Sequence, residues 1–100
     1  MIRHVVIWKL KDSAEGARRD ENAKKMKALL DACRRLTPGI LRLEVGISQK
    51  GLEATVDVVL YSEFADKAAL DAYQTHPTHL EAKKFIGAVR EWRQCVDYEV

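Results

Sequence analysis

Three histidines and one tyrosine are the residues of this 100-residue chain best suited to chemistry. His4 stands near the amino terminus. Tyr73, His76 and His79 fall together in Tyr73-Gln74-Thr75-His76-Pro77-Thr78-His79. Imidazole exchanges protons near neutral pH, so it is the side chain most apt for acid–base work. Tyr73 precedes both clustered histidines closely enough for its phenol to hydrogen-bond one of them or a substrate oxygen. His4 alternates with Ile2 and Val6, and His79 lies at helical spacing from Ala82 and Ile86, so each interrupts an apolar row. A histidine so placed serves either in proton transfer or as a hydrogen-bonded core residue. His76 directly precedes Pro77 and suits a helix-capping role.

Other chemistries find little support. His76 and His79 are spaced for one helix face, but Pro77 lies between them and no carboxylate is close enough in sequence to complete a metal set. Cys33 and Cys95 are far apart, with no ligand neighbour, so two reduced thiols buried in apolar surroundings are expected. No phosphate-binding glycine loop or nucleophile elbow is present. A net charge of +2, with basic runs broken by acids as in Arg18-Arg19-Asp20-Glu21, argues against nucleic acid and anionic membrane surfaces. No segment is apolar for long enough to span a bilayer, and the amino-terminal apolar run is too short for a signal peptide. A cytoplasmic protein in a reducing compartment is the expectation.

Four strands and two helical regions must position the histidines. Residues 2–11 read as a strand, with Ile2, His4, Val6, Trp8 and Leu10 on one side and Arg3, Val5, Ile7, Lys9 and Lys11 on the other. Asp12 to Glu15 reads as a helix start with capping-box spacing. The helix that follows carries Met26, Leu29, Leu30, Cys33 and Leu36 inward and stops at Thr37-Pro38-Gly39. Strands over about 40–47 and 54–62 form a hairpin around Gln49-Lys50-Gly51. A helix beginning at Asp66 is interrupted by Pro77, where a further helical piece starts, and a last strand covers about 92–99.

Strand, helix, strand, strand, helix, strand is the split-βαβ, ferredoxin-like order of an α+β fold with a four-stranded antiparallel sheet, here a single domain over 1–100. The helices shelter one face of that sheet. The opposite face is also apolar, a larger patch than monomers tolerate. A homodimer pairing these faces, with a closed barrel between the sheets, is the expected solution. The same order occurs in RNA-binding domains, but the third strand lacks the aromatic residues that stack bases.

His4-Val5-Val6-Ile7-Trp8-Lys9-Leu10-Lys11 resembles the opening strand of the stress-responsive A/B barrel (Dabb) family. Tyr73-Gln74-Thr75-His76-Pro77-Thr78-His79 is similar to that family's His-Pro-x-His segment, and Arg90-Glu91-Trp92 through Asp97-Tyr98-Glu99 to its closing strand. The resemblance covers essentially the whole chain and implies a dimeric α+β barrel. Relatives of the olivetolic-acid type are plant polyketide cyclases that close a linear polyketide by an aldol step in a cavity inside each subunit. Carried over, His79 would be the acid–base group, Tyr73 would orient or polarise it, and His4 would hold the substrate. Some plant relatives also hold a structural magnesium on main-chain carbonyls, a site that would fall near Arg34, Thr37 and Ile40.

These observations imply a cofactor-free, metal-free acid–base enzyme, or a binder, acting on a small apolar carbonyl compound. The competing reading is a stable, non-catalytic dimer with a stress-response or ligand-binding role. A haem-dependent or monooxygenase activity is a third, and would show as absorbance near the Soret band.

Overall fold

The computed structural model describes residues 1–100. Strict alternation governs β1 (Ile2–Leu10), where His4, Val6, Trp8 and Leu10 are buried and the intervening residues are half-buried. Its apolar residues on both sides place it in the middle of the sheet. β1 pairs antiparallel with β5 (Val58–Phe64) on one side and β6 (Arg90–Glu99) on the other. β4 (Ile40–Ile47) adds to the far edge of β5, giving the order β4-β5-β1-β6. α1 (Arg19–Asp31), α2 (Lys67–Thr75) and α3 (Pro77–Val89) complete a ferredoxin-like α+β fold. Their buried residues, among them Met26, Leu30, Leu70, Tyr73, Ile86 and Val89, form one core with the inward row of the sheet.

The first helix begins later than the sequence suggests. Asp12 does not cap it. β2 (Ser13–Ala14) and β3 (Ala17–Arg18) instead form a two-residue hairpin. Its turn places Glu15 and Gly16 at positive φ (51° and 74°), as such tight hairpins require. The Asp12 carbonyl and carboxylate both accept from Arg19, and Glu21 accepts from the Arg18 amide to start α1. The helix also ends sooner. Cys33 and Leu36 lie in the turns that follow Asp31, with Cys33 still buried.

The third long strand is displaced as well, to Val58–Phe64. Asp57 sets this boundary. Its amide donates to the Trp8 carbonyl, its carbonyl accepts from Ser48, and its buried carboxylate accepts from the Leu10 amide at 2.7 Å. Residues 48–57 therefore form a connection that ties down the end of β1 rather than a tight hairpin. In β4, a register shift between Ile40 and Arg42 turns Leu41 out of the apolar row, leaving it 57% exposed.

Gly39 ends the α1–β4 connection with φ 90°, and a Cβ built there would sit 2.6 Å from the Cβ of Ala69. Both the backbone region and the close approach of α2 demand glycine. Gly39→Ala is expected to cost roughly 2–3 kcal/mol of stability, read as a lower urea midpoint at unchanged slope. A cost within about 0.5 kcal/mol would show that α2 is not seated against this turn.

Candidate functional site

Register decides what faces the helices. Residues opposite one another in the sheet share a face, so His4 and Val6 of β1 share theirs with Asp97 and Cys95 of β6. The inward row of β6, namely Arg93, Cys95, Asp97 and Glu99, is polar and exposed. The helices close over β4, β5 and β1 but stop short of this edge strand. Cys95 is consequently exposed, contrary to the burial expected for both cysteines. Cys33 is buried, with its thiol pushed up by desolvation.

The gap left between β6, β1 and α3 is a cavity of about 350 Å³. His4 and His79 both line it, with Trp8, Leu60 and Ile86 forming apolar wall and Lys83 and Arg93 also present. The cavity is thus inside one subunit, on the helix side of the sheet. The barrel expected between two paired sheets is not where the histidines are: the alternation that buries His4 with Val6 and Trp8 turns it towards α3.

α3 supplies His79 at the same helical spacing as Lys83 and Ile86, three residues of one stripe that reach the cavity, and Arg90 joins them from the first position of β6. The start of α3 is capped. Pro77 occupies its first turn, and Nδ1 of His76 accepts from the Thr78 amide at 3.1 Å. His76 is therefore a cap, as its position before proline implies. Asp66 caps α2 in the same manner, accepting from the Ala69 amide at 2.8 Å.

The rings of His4, Phe64, Tyr73 and His79 run in one contiguous series. Centroids are 6.3 Å apart for His4–Phe64, 5.1 Å for Phe64–Tyr73 and 4.3 Å for Tyr73–His79. Tyr73 is fully buried beneath His79 and does not line the cavity. Its hydroxyl has no hydrogen-bond partner, and burial raises its pKa well above the usual phenol value. Tyr73 thus meets His79 through its ring face, and its contact with a ligand would be indirect.

His4 is held differently. Its Nδ1 hydrogen-bonds the Asp97 carboxylate. A carboxylate on one ring nitrogen fixes the ring's orientation and tautomer and reserves the other nitrogen for a ligand. Nothing in local sequence links positions 4 and 97. The pairing emerges only from the β1–β6 register, which sets His4 directly opposite Asp97.

His79 keeps its Nδ1 buried without a protein partner. Burial, and then the nearby charges of Lys83, His4 and Arg93, lower its pKa to about 4. At neutral pH it is an uncharged imidazole with one free acceptor nitrogen. Two imidazoles, one tied to a carboxylate and one uncharged, therefore line one cavity.

A larger depression of about 680 Å³ lies beside the β2–β3 hairpin. Charged residues dominate its lining, and Arg19–Asp12 and Arg18–Asp20 pair within it. It holds no histidine. No group of three or more His, Cys, Asp or Glu side chains is arranged to hold a metal. After α1, no backbone amide donates to the main-chain oxygens of Arg34 and Thr37, and the Thr37 hydroxyl is buried without a partner. That donor set suits a hard cation. No helix is long and apolar enough to cross a membrane.

Comparison with known proteins agrees with this fold. A family model described as the stress responsive A/B barrel domain matches residues 2–100. No curated protein matches the sequence. Among solved structures, a dimeric protein of unknown function and ferredoxin-like fold from Bacteroides fragilis is 32% identical, with a TM-score of 0.82 over 99% of this chain and 95% of that one. A dimeric ferredoxin-like protein of unknown function from Jannaschia sp. is 28% identical, TM-score 0.75, covering 99% of this chain and 98% of that one. A Dabb family protein with a ferredoxin-like fold from Mesorhizobium loti is 25% identical, TM-score 0.69, covering 99% and 95%.

Proposed function

Because the chain belongs to the stress-responsive A/B barrel (Dabb) family, we propose that it works in the cytoplasm as a homodimer in which each subunit carries its own cofactor-free acid–base site for a small apolar carbonyl compound. One observation carries the chemistry: two imidazoles, one tied to a carboxylate and one kept neutral, line the same partly apolar cavity. The dimeric state of the Bacteroides fragilis and Jannaschia proteins supports the assembly.

The division of labour follows from the surroundings. His79 accepts a proton from the carbon beside the carbonyl. His4, as an imidazolium whose Nδ1–H donates to the Asp97 carboxylate, donates its Nε2–H to the carbonyl oxygen as the enolate forms. The carbon–hydrogen bond pair becomes the enolate π system, and the proton resides on His79 until it is returned or passed on. Attack of that enolate on a second carbonyl gives an aldol-type ring closure, the cyclase-like outcome. Proton transfer of this kind is worth about 10²–10⁴-fold.

The test needs no knowledge of the natural substrate. Aryl ketones incubated with the protein in deuterated buffer should exchange their α-protons faster than in buffer alone, followed by proton NMR. Failure across ketones small enough for a 350 Å³ cavity would leave a binding protein rather than a catalyst.

Asp97 is a positioning residue in this scheme. Asp97→Ala should slow exchange about tenfold, whereas Asp97→Asn, whose carbonyl still accepts from His4, should retain most of the rate. Equal losses in the two variants, or none in either, would remove Asp97 from the site. A shift of the His4 ring nitrogen signals in the alanine variant alone would tie the loss to that ring.

A further inference from the structure

The cavity has a strongly uneven charge. Lys83, Arg90 and Arg93 line it together with the two histidines, and no carboxylate lines it at all. None of the three cations takes part in an ion pair. Arg93 donates only to the sulfur of Cys95, at 3.4 Å. The nearest acid on the same sheet face, Asp97, is occupied by His4. Of the other fourteen lysines and arginines seven are ion-paired, as in Lys27–Asp31 and Lys67–Asp71; what sets these three apart is that they share one cavity with no acid in its lining.

Three unpaired cations around one mouth repel each other and cost the empty protein stability. An anion lodged among them relieves that cost, and guanidinium groups suit a carboxylate through parallel hydrogen bonds. The opposite wall, with Val6, Trp8, Leu30, Leu60 and Ile86, is apolar. The buried indole nitrogen of Trp8 and Nδ1 of His79 both lack protein partners, so polar groups of a ligand are also catered for between the two ends.

We propose that the cavity selects a carboxylate-bearing carbonyl compound, its carboxylate held by Lys83, Arg90 and Arg93, its apolar body on the Val6–Trp8 wall and its carbonyl between His4 and His79. This rests on the acid–base reading of the same cavity and names the class of compound it takes. A volume of about 350 Å³ lies near the lower end of small-molecule pockets, which run from about 300 to 1,000 Å³, so the body is one ring or a short chain. The anion also has a chemical use. Burial is the larger reason His79 is a weak base in the empty site, but the anion would offset the added effect of the Lys83 and Arg93 charges and so raise its basicity when substrate is present.

The probes are 4-oxo-4-phenylbutanoate and its uncharged primary amide, which share the ketone and the ring. Titration calorimetry at neutral pH should show the acid binding at least tenfold tighter than the amide. The advantage should shrink as salt rises, because partly exposed charges are screened. Replacing Lys83, Arg90 and Arg93 together by alanine should abolish the preference, so that the acid binds no tighter than the amide. All three sites are on the cavity rim, and circular dichroism checks that the variant folds. NMR of the His79 ring should show its titration moving upward with the acid and not with the amide. Equal affinities for acid and amide would overturn the anion proposal while leaving the carbonyl-site reading in place. Persistence of the preference in the triple variant would overturn the assignment to these cations. Absence of binding by both probes would overturn this proposal and count against the ligand-site reading as well.

Discussion

Alanine at position 79 is expected to slow α-proton exchange by about 10²–10⁴-fold, the usual loss with an acid–base group, while the fold and assembly persist. The His79 ring stacks on Tyr73 at 4.3 Å and is only partly buried. Losing such a stack costs roughly 0.5–1.5 kcal/mol, which a folded domain tolerates. The pH dependence distinguishes a catalytic histidine from a structural one. The pKa in the folded chain is about 4, against an ordinary 6.5. Between those values the unfolded chain binds more protons, so stability rises with pH through this window. The contribution is fully present above about 6.5 and is lost as pH falls through about 4. His79→Ala should flatten that part of the stability profile. In the unaltered protein, kcat/KM for exchange should fall on the acid side near pH 4 rather than near 6.5. Should the variant keep its exchange rate but melt far lower, His79 is a core group, and the non-catalytic, ligand-binding dimer becomes the better description. Retention of both rate and stability would shift the proton-accepting role to His4.

Periodicity carried the sheet and the second helical region because those segments obey a single rule. β1 alternates without interruption, and Asp66 and Pro77 mark helix starts by mechanisms that need only local chemistry. Local reasoning failed where distant residues decide. Asp12 has the right type for a cap, yet Glu15-Gly16 offered the chain a tight hairpin first. Thr55 and Val56 favour strand formation, but the hydrogen bonds of Asp57 to Trp8 and Leu10 hold the chain out of β5 until Val58. The site divides along the same line. His4, Tyr73 and His79 stood out by type and spacing, and the fold brings all three into one series of rings. Asp97 and the Lys83–Arg90–Arg93 rim did not stand out. An acid and two arginines in an edge strand and a lysine on a helix look like solvated surface until the β1–β6 register and the end of α3 set them around a cavity. Lys83 had a usable signal, lying one helical turn beyond His79.

Aspartate at both Val5 and Val96 is expected to convert a dimer into a folded monomer. The sheet face away from the helices presents Val5 and Ile7 of β1, Val59 and Tyr61 of β5, and Trp92, Val96 and Tyr98 of β6. Val96 is 53% and Tyr98 41% exposed in the single chain. Tyr61, Val5 and Val96 form a row across three strands at the centre of this face. A stable dimer buries about 800 Å² on each partner, and apolar area contributes about 25 cal/mol per Å². An unpaired carboxylate forced into such an interface costs several kcal/mol, and two-fold symmetry inflicts each one twice. Since about 1.4 kcal/mol is tenfold in affinity, the dimer should weaken by more than about 10³-fold. The single chain loses little, because these side chains would face water and β-propensity spans only about 1 kcal/mol. Sedimentation at micromolar concentration should therefore give a dimer for the unaltered protein and a monomer with an unchanged circular dichroism spectrum for the variant. A monomeric unaltered protein would end the dimer proposal, and a dimeric variant would move the interface elsewhere. Val96 and Asp97 are neighbours on β6 but point to opposite faces, and only Asp97 reaches His4. The monomer should consequently keep its exchange rate per subunit within a few-fold. Collapse of that rate on dissociation would mean instead that the second subunit braces β6 against the cavity, so that the greasy face is part of the site's rigidity and not only of its assembly.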